Sequence, residues 1–132
     1  MAAYVWLDNY IRRQSEPLSL KVKSYIAENL KKNLSLDGIA KKFDVGKTTL
    51  CNAVKAEINM TVNELIRALR VEKAKELLEE NARLVSEIAE EVGIPDYNYF
   101  TKVFKEESGV TPSVFRKLCQ KEYLYTIGEQ KA

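Results

Sequence analysis

Ile39-Ala40-Lys41-Lys42-Phe43-Asp44-Val45 is echoed 49 positions later by Ile88-Ala89-Glu90-Glu91-Val92-Gly93-Ile94. One inserted residue shifts the register to 50, and the echo goes on: Leu50, Val54, Lys55, Asn59 and Thr61 face Phe100, Phe104, Lys105, Gly109 and Thr111. Each copy reads as a short apolar-striped helix, a tight turn and a second apolar-striped helix. That order is the pattern of a helix-turn-helix, and its repetition at a fixed period makes the repeat the organising feature of the chain. Two such units suit a long, regularly spaced target, and DNA is the obvious one.

Around this repeat, helix signals follow one another without a strand signal between them. Ser19 is the expected N-cap of a helix reaching about Asn33, with Val22, Ile26 and Leu30 four residues apart. Ser35 caps a short helix carrying Leu36, Ile39, Ala40 and Phe43 on one side, Asp44-Val45-Gly46 makes the turn, and a helix from about Lys47 to Ile58 follows. Thr61 and Glu64 form a capping box for a helix of about 18 residues, or about 27 Å, striped by Val62, Leu65, Ile66, Leu69, Ala74, Leu77 and Leu78. The second unit begins near Val85 and turns at Gly93-Ile94-Pro95. Asp96 caps its second helix, Gly109 ends it, and Thr111-Pro112 opens a last helix. The expected fold is all-α, about seven helices arranged as two homeodomain-like helix-turn-helix units on a long central helix. The expected segments are an arm or linker over 1–17, a first unit over 18–60, a connecting helix over 61–80, a second unit over 81–120 and a tail over 121–132.

Composition removes several classes of function. The 132 residues include no histidine, which excludes a Ser-His-Asp or Cys-His pair and the usual zinc and 2-His-1-carboxylate iron sites. The five glycines are scattered, so no phosphate-cradling loop is present, and no enzyme, cofactor or metal is expected. No apolar run approaches the roughly 18 residues that span a bilayer, and the N-terminus lacks the layout of a secretory signal. Cys51 and Cys119 read as reduced thiols, and the expected location is cytoplasmic. A net charge of +2 hides an uneven distribution: residues 18–60 hold eight Lys/Arg against four Asp/Glu, whereas residues 61–110 hold seven against eleven. Attraction to phosphate therefore favours the first unit.

In a helix-turn-helix the second helix enters the major groove and its outward side chains meet base edges. The inward face of the first such helix is Leu50, Ala53 and Val54, leaving Lys47, Thr48, Cys51, Asn52 and Lys55 outside. In the second, Phe100, Val103 and Phe104 point inward, leaving Tyr97, Asn98, Thr101, Lys102 and Lys105. Asn pairs with adenine, Lys donates to guanine and Thr touches a thymine methyl. Thr48, Cys51, Asn52, Tyr97, Asn98, Thr101 and Lys102 are accordingly the expected base contacts. Lys42, Lys47, Lys55 and Lys105 are the expected phosphate contacts, which fix position and not sequence. Cys51 also fits a plain role as a small residue filling a shallow site, and Tyr99 a packing role beside its helix start. The glutamates Glu76, Glu79 and Glu80 make a solvent face that would repel DNA near a groove.

The run Ile88-Ala89-x-x-Val92-Gly93, then Asp96-x-x-Tyr99-Phe100-x-x-Val103-Phe104-Lys105, then Gly109-Val110-Thr111-Pro112-Ser113-x-Phe115-Arg116 resembles the signature of AraC/XylS-type transcription regulators. Arg70-Val71-x-x-Ala74-x-x-Leu77-Leu78 is similar to the same family in its connecting helix, and the resemblance covers about Leu18 to Lys117. It implies seven helices, bacterial promoter DNA as target and base contacts at the positions already named. Ile94 stands where the family usually has Phe and Asn59 where it usually has Gly; Asn tolerates the left-handed conformation that a helix-ending Gly supplies. The resemblance further implies a sensor or receiver domain beyond this chain, and RNA polymerase is an expected second partner beside double-stranded DNA. The competing reading, prompted by the acidic stretch from Glu72 to Glu91, is a helical protein-interaction adaptor with little affinity for DNA.

Overall fold

The two copies fold alike, helix for helix. In the computed structural model, which describes residues 16–80 and 83–120, α1 (Leu18–Glu28) leads into α2 (Leu36–Lys42) and α3 (Lys47–Ile58); α4 (Val62–Glu80) connects them to α5 (Val85–Glu91), α6 (Tyr97–Ser108) and α7 over 112–120. The described residues thus form seven helices and no strand, as the periodicity predicts. Helices α2 and α5 are both 7 residues long at an offset of 49, and α3 and α6 are both 12 long at an offset of 50. The expected arm, apart from Glu16 and Pro17, and the expected tail over 121–132 lie outside the described residues.

The backbone repeats more faithfully than the side chains. The first turn passes through a left-handed residue at Asp44 (φ 53°) and the second at Gly93 (φ 85°); α3 ends on Asn59 (φ 61°) and α6 on Gly109 (φ 86°). Each pair occupies equivalent positions, so in each unit one residue type able to adopt positive φ substitutes for another. Thr61 accepts from the Glu64 amide while Glu64 accepts from the Thr61 amide, both at 3.1 Å, completing the capping box. Thr111 Oγ1 repeats the first of these bonds to the Val114 amide at 3.3 Å. Ser35 caps α2 through the Gly38 amide at 3.0 Å, and Asp96 caps α6 through the Tyr99 amide at 3.1 Å.

Helix α1 departs from expectation at both ends. Its N-cap is Pro17, whose carbonyl accepts from the Leu20 and Lys21 amides, so Ser19 lies inside the first turn and not at the cap. Ser19 is 1% exposed and shares the inward stripe with Val22 and Ile26 at i, i+3 and i+7. The helix stops at Glu28 because the Asn29 side-chain amide donates to the Tyr25 carbonyl at 2.7 Å, while the Asn29 backbone closes a tighter bond on Ile26. Asn commonly competes with the helical ladder in this way. Leu30 is then turned into the core at 7% exposure.

The buried side chains separate into two cores, and α4 contributes to both. Its first half gives Val62, Leu65 and Ile66 to a cluster with Val22, Ile26, Ile39, Leu50 and Val54. Its second half gives Val71, Ala74, Leu77 and Leu78 to a cluster with Ile88, Val92, Phe100, Val103 and Phe104. Ile94, the departure from the usual Phe, is buried in the second core. Phe104 sits between Phe100 and Phe115, with ring centroids 5.9 and 5.6 Å away. Helix α4 is therefore a wall of each unit as well as the link between them.

Gly93 is also where the second unit meets the first. A Cβ built there would overlap the Leu30 carbonyl oxygen, whereas a Cβ at Gly109 meets nothing within 4 Å. Both positions carry positive φ, so the pair separates backbone strain from crowding. Gly109→Ala should cost about 1–2 kcal/mol, the left-handed penalty alone. Gly93→Ala should cost about 2–5 kcal/mol, because overpacking against a backbone atom adds to that penalty. Chemical denaturation of the two variants measures the difference, and equal losses would show that the junction yields.

Candidate nucleic-acid interface

Helices α3 and α6 expose the same three positions. Thr48, Asn52 and Lys55 are exposed on α3, spaced i, i+4 and i+7; Asn98, Lys102 and Lys105 are exposed on α6 at the equivalent sites. Behind them Leu50 and Val54 in one helix, and Phe100, Val103 and Phe104 in the other, are buried. The helix stripe thus fixes which side faces out before any partner arrives. Tyr97 stands at the start of α6, 47% exposed.

Two of the expected base contacts sit differently. Cys51 and Thr101 are equivalent positions and both are only partly exposed, on the flank where each helix turns towards its own core. The Thr101 hydroxyl oxygen is buried without a hydrogen-bond partner. Cys51 is a free thiol. Tyr99, expected to pack, is 51% exposed and borders the cleft between the units.

The lysines expected at phosphates occupy varied surroundings. Lys42 is exposed with its ammonium 5.9 Å from the Tyr25 ring centre, and Lys55 and Lys105 are exposed in the last turns of α3 and α6. Lys47, at the start of α3, pairs with Asp37 at 2.6 Å, both side chains more than half exposed. An exposed pair of this kind contributes about 0–1 kcal/mol and is readily exchanged for another anion. The acidic face of α4 is partly offset by its own lysines, Lys73 to Glu76 at 3.4 Å and Lys75 to Glu72 at 3.8 Å. No cluster of three or more potential metal ligands occurs among the described residues, and no helix there is long and apolar enough to cross a membrane.

Arg70 holds the two units in register, a role the helical periodicity does not announce. Its guanidinium donates to the Lys32 carbonyl of the first unit at 3.1 Å while its Nε lies against Gly93 of the second. Desolvation pushes its pKa below the ordinary arginine value, an effect opposed by Tyr99. Arg67, one turn earlier, reaches Glu106 of α6 at 3.7 Å. The only sequence signal for Arg70 was its place in the connecting-helix motif, since a partner 38 residues away leaves no local trace.

Duplicated recognition-type helices, each backed by its own core and fixed by a shared α4, define a tandem helix-turn-helix protein. Residues 39–118 match the Helix-turn-helix domain family, and the chain belongs to the AraC/XylS-type branch of these proteins. It is 36% identical over 104 residues to the HTH-type transcriptional activator RhaR of Escherichia coli K12, an alignment covering 79% of this chain and 37% of RhaR. The chain thus spans little more than a third of the length of that relative. Among solved structures, the C-terminal domain of AraT, a response regulator from Geobacillus stearothermophilus, superposes with a TM-score of 0.74 at 31% identity, covering 78% of this chain and 86% of that one. The DNA-binding domain of the global transcriptional factor AdpA, solved with a target DNA, gives a TM-score of 0.75 at 19% identity over 82% of this chain and 96% of that one, a likeness of fold.

Arg70→Gln should lower unfolding stability by about 1–2 kcal/mol through the lost charge-assisted bond. It should also separate the melting of the two cores, which backbone hydrogen exchange resolves unit by unit. A single, unshifted transition would mean that α4 and the Gly93 contact suffice without Arg70.

Proposed function

We propose that this chain is the DNA-binding part of a sequence-specific transcription regulator that sets α3 and α6 into successive major-groove segments of a bacterial promoter. The observation that carries this reading is the equivalence of the two exposed triads, Thr48, Asn52 and Lys55 against Asn98, Lys102 and Lys105, on helices of equal length. A target read by two like elements has a repeat of its own. The major groove returns to the same face of B-DNA after about 34 Å. Helix α4, with 19 residues, is about 28 Å long, a length of the same order as that repeat. Any residual mismatch is taken up by bending the duplex, at a cost of a few kcal/mol.

Within this reading Asn52 and Asn98 pair with adenine edges, Lys102 donates to guanine, and Thr48 and Tyr97 complete the outward face. Cys51 and the methyl of Thr101 supply apolar contact at the groove wall, as their half-buried positions allow. Lys42, Lys47, Lys55 and Lys105 meet phosphates. RhaR is named a transcriptional activator and AraT a response regulator, and both support regulation of transcription as the role here. A sensor or receiver domain, contact with RNA polymerase and a cytoplasmic site of action belong to the same proposal. No enzymatic step is part of it.

The test is a selection of bound duplexes from a random pool, followed by affinity measurements on the winner. Asn52→Ala and Lys102→Ala should each weaken the selected site by about 1–3 kcal/mol while leaving random DNA little changed. If the protein has no preferred duplex, or both variants bind like the parent, the adaptor reading takes its place.

Salt dependence gives a second measure. Four phosphate contacts predict a log–log slope near about −3.6, and Lys55→Ala should reduce its magnitude by about 0.9. Asp37→Asn should tighten binding to any duplex by freeing Lys47 and removing a negative charge, with a stability change below about 1 kcal/mol. Weaker binding by Asp37→Asn would show that the ion pair orients Lys47 instead of competing for it.

A further inference from the structure

Between the two units lies a cleft of about 290 Å³ with a mainly polar surface. Asn63, Arg67 and Arg70 border it from α4 at i, i+4 and i+7, and Tyr99 borders it from α6. Ile94 and Val103 reach it only by their edges, being core residues 5% and 2% exposed. What the cleft offers is therefore donors. Asn63, Arg67 and Tyr99 bring a carboxamide, a guanidinium and a phenol on exposed residues, and Arg70 adds a part-buried guanidinium.

The two arginines are not equally free. Arg70 is committed to the junction, with one nitrogen on the Lys32 carbonyl and its Nε against Gly93. Arg67 has Glu106 at 3.7 Å, beyond good hydrogen-bond length, and both side chains are about half exposed. An exposed pair at that distance is readily exchanged for a better-placed anion. The planar fork of a guanidinium takes two oxygens of a phosphate at once.

Position selects the source of that phosphate. Tyr99 and Val103 each follow directly on an outward residue of α6, Asn98 and Lys102, so the cleft lies about 100° around that helix from its outward face. Two major-groove segments one helical turn apart on one DNA face are separated by the minor groove, and the phosphates bordering it pass between the two recognition helices. We propose that Arg67, with Asn63 and Tyr99, holds a backbone phosphate of the duplex in this cleft, at the minor groove between the segments read by α3 and α6. The assignment rests on α3 and α6 entering the grooves as proposed above, and places a further contact at the junction itself. A phosphate held by α4 and α6 together is gripped only when both units are seated. Free phosphate shares the chemistry, and the measurements below separate the two sources.

A fifth phosphate contact takes the log–log salt slope of the parent from about −3.6 to about −4.5. Arg67→Gln should return it to about −3.6 while weakening selected and random duplexes alike. Arg67 is about half exposed, so the variant leaves both cores intact. Duplexes carrying a single neutral methylphosphonate, scanned across the minor groove between the read segments, locate the contact: at one position the parent and Arg67→Gln should bind equally. Inorganic phosphate, titrated into the full chain without DNA and followed by NMR at the Arg67 side chain, should not saturate up to about 20 mM. Lys55→Ala is the control. If it lowers the slope and Arg67→Gln does not, the cleft assignment alone is overturned; if neither lowers it, the groove reading falls as well. An Arg67→Gln deficit that persists at every methylphosphonate position also overturns the proposal. So does saturation by free phosphate within that range, which would assign the cleft to a small anion.

Discussion

The Leu30 carbonyl and the backbone of Gly93 come so close that only a residue without a Cβ fits between them, and the mutual placement of the two units depends on that contact. Helix α4 is a wall of both cores, and this contact adds a direct backbone link between the units beside it. Arg70 beside the contact donates to Lys32, two residues beyond Leu30, and so fastens the same turn from the other side. The turn exists because Asn29 ends α1 early and Leu30 folds back into the first core. A side-chain amide, a glycine and an arginine, drawn from three parts of the chain, thus convert two small helical bundles into one reader of fixed spacing.

Each unit alone would be a marginal domain. A core of about ten buried side chains in some 45 residues lies near the lower limit for independent folding. Sharing α4 relieves this, because one 19-residue helix presents Val62, Leu65 and Ile66 to the first core and Val71, Ala74, Leu77 and Leu78 to the second. The switch of face between Ile66 and Val71 brings Arg67 and Arg70 to the boundary between the cores. Polar residues are tolerated there because neither core closes over them, and the cleft is the consequence.

Much of this was legible in the sequence, for a physical reason: repeats, caps and left-handed residues are local. The Ile-Ala echo, the Thr61–Glu64 box, Ser35, Asp96 and the pairing of Asn59 with Gly109 all act within four residues of themselves, and all stand where the spacing puts them. Ser19 misled because a serine ahead of an apolar stripe signals a cap, whereas Pro17 starts α1 two residues sooner and draws Ser19 into the stripe. The outward faces of α3 and α6 were readable from period alone; the half-burial of Cys51 and Thr101 was not, since a flank position is decided by the neighbouring helix. The Arg70–Lys32 bond and the cleft depend on residues more than 20 positions apart, beyond the reach of any periodicity.

The two units keep one packing code and differ in what they present. Around α3 the exposed charges are mainly lysines, one of them held by Asp37, and the outward residues Thr48 and Asn52 are small. Around α6 the surface is acid-rich, yet the outward face carries Tyr97, Asn98 and Lys102. Long-range attraction acts before contact and scales with net charge, so under the proposed function the first unit is the one drawn to the duplex. Base discrimination acts at contact and scales with directed hydrogen bonds, and the larger donors of α6 are better provided for it. Rigid coupling makes the difference useful to the proposed function: with the basic unit seated, a fixed junction would deliver the second helix at a set distance and angle. A flexible linker would spread the same two activities over many spacings, and the charge asymmetry would then add affinity without adding selectivity.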